Sequence, residues 1–145
     1  MIFHEVKAVY EKQTGEDNPA KVKETYLVEA VNCADAEKQV MDEITPFVFG
    51  ESETPQIRKR HLFDIFPGDG ENWYEAKVEM ITIDGDKESR KAVKVLVQDN
   101  TIDGALKELH YKHLAAFDCE ILSIAKSPVL DIINRLRPEK EDNNN

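Results

Sequence analysis

Along the first dozen residues Ile2, His4, Val6, Ala8 and Tyr10 alternate with Glu5, Lys7 and Glu11, the period of a strand with one face turned inward. Gly15, Asp17, Asn18 and Pro19 then supply turn-forming residues, and a second alternating run covers 22–31. Two such runs about one turn predict a hairpin. Asn32 is placed to cap a helix, and Asp35, three residues on, suits the positive end of its dipole. Ala36, Val40 and Ile44 recur every four residues among Asp35, Glu37, Lys38, Asp42 and Glu43, which predicts an amphipathic helix over 33–45 that stops near Pro46. After a loop, "QIRKRHLFDIF" reads as another strand. The first half is therefore ordered β-β-α-β.

"PGDGEN" at 67–72 is the densest punctuation in the chain, and beyond it the same order returns. "WYEAKVEMITI" reads as a strand, "DGDKES" as a turn on Gly85, and "RKAVKVLVQ" as a strand. Thr101 caps a helix over 102–115 that carries Ile102, Ala105, Leu106 and Leu109, and "CEILSIAKS" closes the unit. "YLVEAVNCADAEKQV" lies over "VLVQDNTIDGALKEL" without a gap, with identities at Leu27/Leu96, Val28/Val97, Ala36/Ala105 and Lys38/Lys107. The exits agree as well, "LFDIF" at 62–66 with "VLDII" at 129–133. The expected fold is α+β: tandem duplicated β-β-α-β units with pseudo-twofold symmetry, their antiparallel sheets packed with two helices. Residues 1–66 form the first repeat, 67–72 a linker turn, 73–133 the second repeat, and 134–145 an acidic, Asn-ending tail with too little apolar surface to order itself. One repeat of about 60 residues has a single helix to cover a sheet and is marginal alone, so the two are expected to share their burial.

Composition narrows the function classes. The 145 residues suit one compact domain or two very small ones, and 41% hydrophobic residues suffice for a core. No stretch approaches the roughly 20 apolar residues of a spanning helix, and the N-terminus mixes charge into its apolar positions, so a cytoplasmic protein with no membrane role is expected. A net charge of −10 opposes diffuse binding to a polyanion while leaving room for a local basic site. Cys33 and Cys119 are too few for a disulfide framework and are expected to be reduced, partly buried thiols.

Three stretches together, "EITPFVFGE" (43–51), "WYEAKVEMITID" (73–84) and "VLVQ" (95–98), resemble an uncharacterised family of small proteins from Bacteroides-group gut bacteria and their phages. The similarity runs from about residue 2 to 133. It implies a bacterial or phage protein acting inside the cell, and a chain that is not a piece of a larger enzyme. The family carries no assigned activity, so the resemblance transfers no catalytic or ligand-binding residue.

The candidate chemistry centres on "RKRH", Arg58–His61, in an otherwise acidic chain. A strand places Arg58 and Arg60 on one face and Lys59 and His61 on the other. Two guanidinium groups can clasp phosphate or carboxylate bidentately. The competing reading pairs them with some of the 29 acidic residues and uses the charge to keep an edge strand from aggregating. The second half keeps only Lys126 at the corresponding place, so the basic cluster is not demanded by the repeat. Trp73 and Tyr74 open the second half; such rings stack on bases in nucleic-acid-binding sheets, or plug a core. Phe3 and His4 stand at the matching places in the first half, which favours packing.

His110 and His113, three apart on a helix, could reach one ion, but no third ligand has suitable spacing, and no metal site is expected. Cys33 and Cys119 lack the flanks of a nucleophile motif. "GDG" at 68–70 precedes no helix, and Asp84/Asp86 and Asp69/Glu71 fall in turns, where they shape the chain rather than move protons. The reading reached is a non-enzymatic binding or accessory protein that self-associates and has no cofactor. Its expected ligand surface is Arg58, Lys59 and Arg60 with Trp73 and Lys77, taking a nucleotide or single-stranded nucleic acid. The alternative is a structural or protein-interaction module, and an enzyme comes third.

Overall fold

The computed structural model describes residues 2–134 apart from 14, 16 and 17. In chain order its elements are β1 (Ile2–Lys12), β2 (Ala20–Val28), α1 (Cys33–Ile44), a 3-10 turn (Thr45–Phe47), β3 (Val48–His61), β4 (Asp64–Phe66), β5 (Asn72–Asp84), β6 (Lys87–Asp99), α2 (Ile102–Glu108), a π turn (Leu109–His113), β7 (Cys119–Lys126) and β8 (Val129–Ile133). The class is α+β. One sheet has the strand order β3-β1-β2-β8 and the other β7-β5-β6-β4. Neighbours run antiparallel in the β1/β2, β5/β6 and β5/β7 pairs, whereas β4 lies parallel to β6.

The chain divides into two compact units, one over Phe3–Lys59 and the segment from Asp131, the other over Arg60–Leu130. The "PGDGEN" turn thus lies inside the second unit. The first unit buries Val6, Ala8 and Tyr10 of β1, Tyr26 and Val28 of β2, and Ile133 against Ala36, Val40 and Ile44 of α1. The second buries Tyr74, Ala76 and Val78 of β5 and Val95 and Val97 of β6 against Ala105, Leu109 and Leu114. In both units the strand positions repeat every two residues and the helix positions every four or five, so each helix lays its apolar stripe on one sheet face. The caps are alike: Asn32 Oδ1 accepts from Asp35 N at 2.8 Å, and Thr101 Oγ1 accepts from Gly104 N at 3.0 Å.

Four sequence expectations are revised. The loop after Pro46 is instead most of β3, which runs 14 residues from Val48. β3 stands at a sheet edge, the place in a sheet that tolerates a proline such as Pro55, and Gly50 supplies a φ of 90° within it. "QIRKRHLFDIF" is not one strand. The chain breaks at Leu62 and Phe63, so that β3 pairs in one sheet and β4 in the other. The helix over 102–115 keeps α geometry only to Glu108; the turn after it is closed by Leu114 N donating to Leu109 O at 2.8 Å, five residues back. Cys33 is exposed, on the first residue of α1, and Cys119 alone is the partly buried thiol. Of the expected disordered tail over 134–145, residues 135–145 lie outside the described residues.

Candidate functional site

The residues singled out by the sequence occupy different environments. Arg58 is exposed, and its Nε donates to Glu5 Oε2 at 2.8 Å. Arg60 is 8% exposed and its guanidinium donates to Glu75, so the shared strand face does not give the two arginines a shared setting. Lys59 is exposed. Trp73 is 5% exposed, and its backbone carbonyl accepts from Ser127 N at 2.8 Å, which fits a packed ring rather than an open stacking platform. Lys77 is exposed on β5 directly opposite Lys94 of β6 and Ser123 of β7, and neither lysine has a carboxylate partner among the described residues. Like charges facing one another across a ladder cost stability, which makes this pair a place where an anion would be welcome.

A broad concavity lies elsewhere in the same unit. A groove of about 690 Å³ runs between α2 with its π turn and the first residues of β7. Leu106, Leu114, Phe117 and Ile121 give it an apolar lining, to which His110, Tyr111, Cys119 and Glu120 add polar groups. Tyr111 is 75% exposed and Phe117 46%, high values for large aromatic rings on a surface that is otherwise strongly charged. The π turn forms part of the groove wall. An i→i+5 turn adds a residue to the helical circuit, re-aims the side chains that follow, and recurs at functional sites. His110 meets Tyr111 edge-on at 4.6 Å between ring centres. Burial pushes the Cys119 thiol up, with the Asp118 carboxylate adding to the effect, so the sulfur is held in its less reactive protonated form. Sequence reading missed this groove because Tyr111 falls outside the helical period and Phe117 follows the helical segment altogether. One large ring, Tyr111, where the periodicity asks for a polar residue, was the available signal.

A third cluster joins "PGDGEN" to the end of β6. Gln98 Oε1 accepts from Gly68 N at 3.0 Å, and Asn100 Oδ1 from Glu71 N at 3.0 Å. His113 stacks on Phe66 at 4.2 Å and lies 3.7 Å from Glu108. Burial, and then Lys112, lower its pKa, while Glu108 and Asp64 oppose them. In the other unit a single carboxylate collects three donors: Tyr10 and Tyr26 donate to Glu24 Oε1, the latter at 3.0 Å, and Lys12 Nζ sits 3.2 Å from Oε2. Burial and then the Glu24 carboxylate raise the pKa of both phenols above the ordinary range. His4 is buried with Nδ1 unpartnered among the described residues. No group of three or more His, Cys, Asp or Glu among the described residues is placed to hold a metal ion, and no helix there is long and apolar enough to cross a membrane.

The chain belongs to the family described as domain of unknown function DUF4494, whose pattern matches residues 2–135. No curated protein and no solved structure matches it.

Proposed function

We propose that this chain is a non-enzymatic interaction module that grips another protein through the groove between α2 and β7. The observation that carries the proposal is the exposure of Leu106, Tyr111 and Phe117 around one cavity of about 690 Å³. That volume falls in the range of roughly 300–1,000 Å³ typical of binding sites. Apolar patches on charged surfaces mark contact sites. The Cys119 thiol in the lining ionises less readily than an ordinary one, which agrees with a binding role.

The scaffold beneath fits a β-β-α-β unit written twice with pseudo-twofold symmetry. Sheet orders β3-β1-β2-β8 and β7-β5-β6-β4 correspond strand for strand, and Asn32 and Thr101 cap their helices in the same way. On this reading 1–66 and 73–133 are the repeats, 67–72 is the join, and β4 and β8 are tails that each repeat lends to the other's sheet. Self-association and a setting in the cytoplasm of a bacterium or of a phage-infected cell belong to the same proposal.

A second reading, an anionic ligand such as a nucleotide or single-stranded nucleic acid, is favoured by Lys77 facing Lys94 without a carboxylate partner among the described residues. Arg58 and Arg60, engaged by Glu5 and Glu75, contribute less to it than their sequence suggests. A photo-crosslinking residue at Tyr111, introduced in cells that express the chain, tests the leading reading. A discrete protein adduct that disappears with Leu106→Lys supports it. A purified protein that carries a bound anion of a few hundred daltons in native mass spectrometry and gives no adduct overturns it in favour of the second.

A further inference from the structure

The groove meets β7 edge-on. Successive side chains of a strand point to opposite faces, yet Cys119, Glu120 and Ile121 all border the same cavity. The cavity therefore wraps around the strand's outer edge instead of lying on one face. β7 ends its sheet, with β5 as its one neighbour. The opposite wall is helical, built from Leu106, Lys107, His110 and Tyr111. An apolar channel between a helix and an open strand edge has the geometry in which an extended segment adds to a sheet: the backbone pairs with the edge while alternate side chains drop into the channel.

Charge narrows the occupant. α2, the π turn and the approach to β7 carry Asp103, Glu108, Asp118 and Glu120 against Lys107 and Lys112, and the whole chain carries −10. Such a surface draws cationic partners and repels acidic ones. The ladder limits the length. Lys77 pairs with Ser123 and Val78 with Ile121, so Leu122 is an extra, bulged residue, 45% exposed. A bulge twists the edge away and interrupts regular pairing, which resumes here only from Ser123. The usable edge is therefore the Cys119–Ile121 end, the same three residues that border the cavity.

We infer that β7 and the groove beside it receive a short extended segment of a partner protein, apolar at alternate positions and basic between them, as an added strand. This rests on the interaction-module reading and names the mode of that contact. Leu106, Leu114 and Phe117 take the inward side chains, and Glu120, 62% exposed at its side chain and held only at 3.7 Å by Arg90, selects basic residues at the outward positions.

The test uses the full-length chain, isotope-labelled, titrated with the peptide Lys-Val-Lys-Phe-Lys-Val-Lys and with the same peptide carrying Glu for every Lys. The expected result is saturable binding of the Lys peptide, with amide shifts at 106–117 and 119–121 and slowed amide exchange in β7. Leu106→Lys and, independently, Tyr111→Ala weaken it at least tenfold with the rest of the spectrum unchanged; Tyr111 is exposed enough that its loss leaves the fold intact. Glu120→Lys shifts the preference toward the Glu peptide. Groove shifts without protection of β7 overturn strand addition and leave the interaction module standing. Absence of saturable binding by either peptide overturns the inference outright, and the crosslink at Tyr111 then decides the underlying reading separately.

Discussion

Arg60 and Glu75 form an ion pair in which the guanidinium is almost wholly buried, its side chain 9% exposed, while the carboxylate keeps 29% of its surface in contact with water. The asymmetry sets the cost of breaking it. Glu75→Ala leaves a buried charge without this partner and is expected to destabilise the protein by about 2–3 kcal/mol, below the top of the buried-pair range because water still reaches Glu75. Arg60→Met, which removes the charge and fills a similar volume, is expected to cost less. Chemical denaturation of both variants checks the order, and equal losses would mean that the pair contributes through packing alone.

Tyr10 and Tyr26 share one carboxylate, and both phenols ionise above the ordinary 10.0. A raised folded-state pKa means that the folded protein resists losing these protons. The stability they contribute is whole below pH 10 and falls as pH rises through and above it. Glu24→Gln removes the carboxylate charge and is expected to bring both transitions down, read as absorbance of the phenolate during alkaline titration. An unchanged titration would assign the shift to burial by itself.

His113 is displaced in the opposite sense for a base, its pKa lowered from 6.5 by burial and Lys112. The unfolded chain then binds the proton more readily than the folded one. Stability is full above about 6.5 and declines as pH falls from there toward the lowered value. His113→Phe, which keeps a ring on Phe66, is expected to flatten the melting temperature between pH 7 and 5 relative to wild type.

Gly70 is fixed by close approach. A Cβ there would stand 2.1 Å from the Asp99 carbonyl carbon, a backbone atom that cannot swing aside. Gly70→Ala is expected to cost about 1–3 kcal/mol by overpacking and to loosen the bond from Glu71 N to Asn100 Oδ1. Gly85→Ala is the contrast, with open space around its Cβ and only a positive φ of 64° to resist it. Thermal melts of the two rank backbone clash against dihedral strain.

What the sequence determined by itself was local. Alternation in 2–12 and 73–83, the four-residue recurrence of Ala36, Val40 and Ile44, and the caps Asn32 and Thr101 fix elements through neighbours only a few residues away, and these elements begin where they were read, though the second helix ends early. Where partners lie far along the chain, the same reading fell short. "QIRKRHLFDIF" is uniformly strand-like, and only the competition between two sheets for its ends decided that it breaks at Leu62, sending β4 to lie beside β6. The basic cluster looked like one site because Arg58 and Arg60 are two residues apart; the carboxylates that claim them, Glu5 and Glu75, stand 53 and 15 residues away. The groove was legible only in the misfit of Tyr111, for a related reason. An apolar cavity is shaped by how two packed elements diverge, here α2 with its π turn and β7, and that divergence is decided in three dimensions rather than by the order of residues along either one.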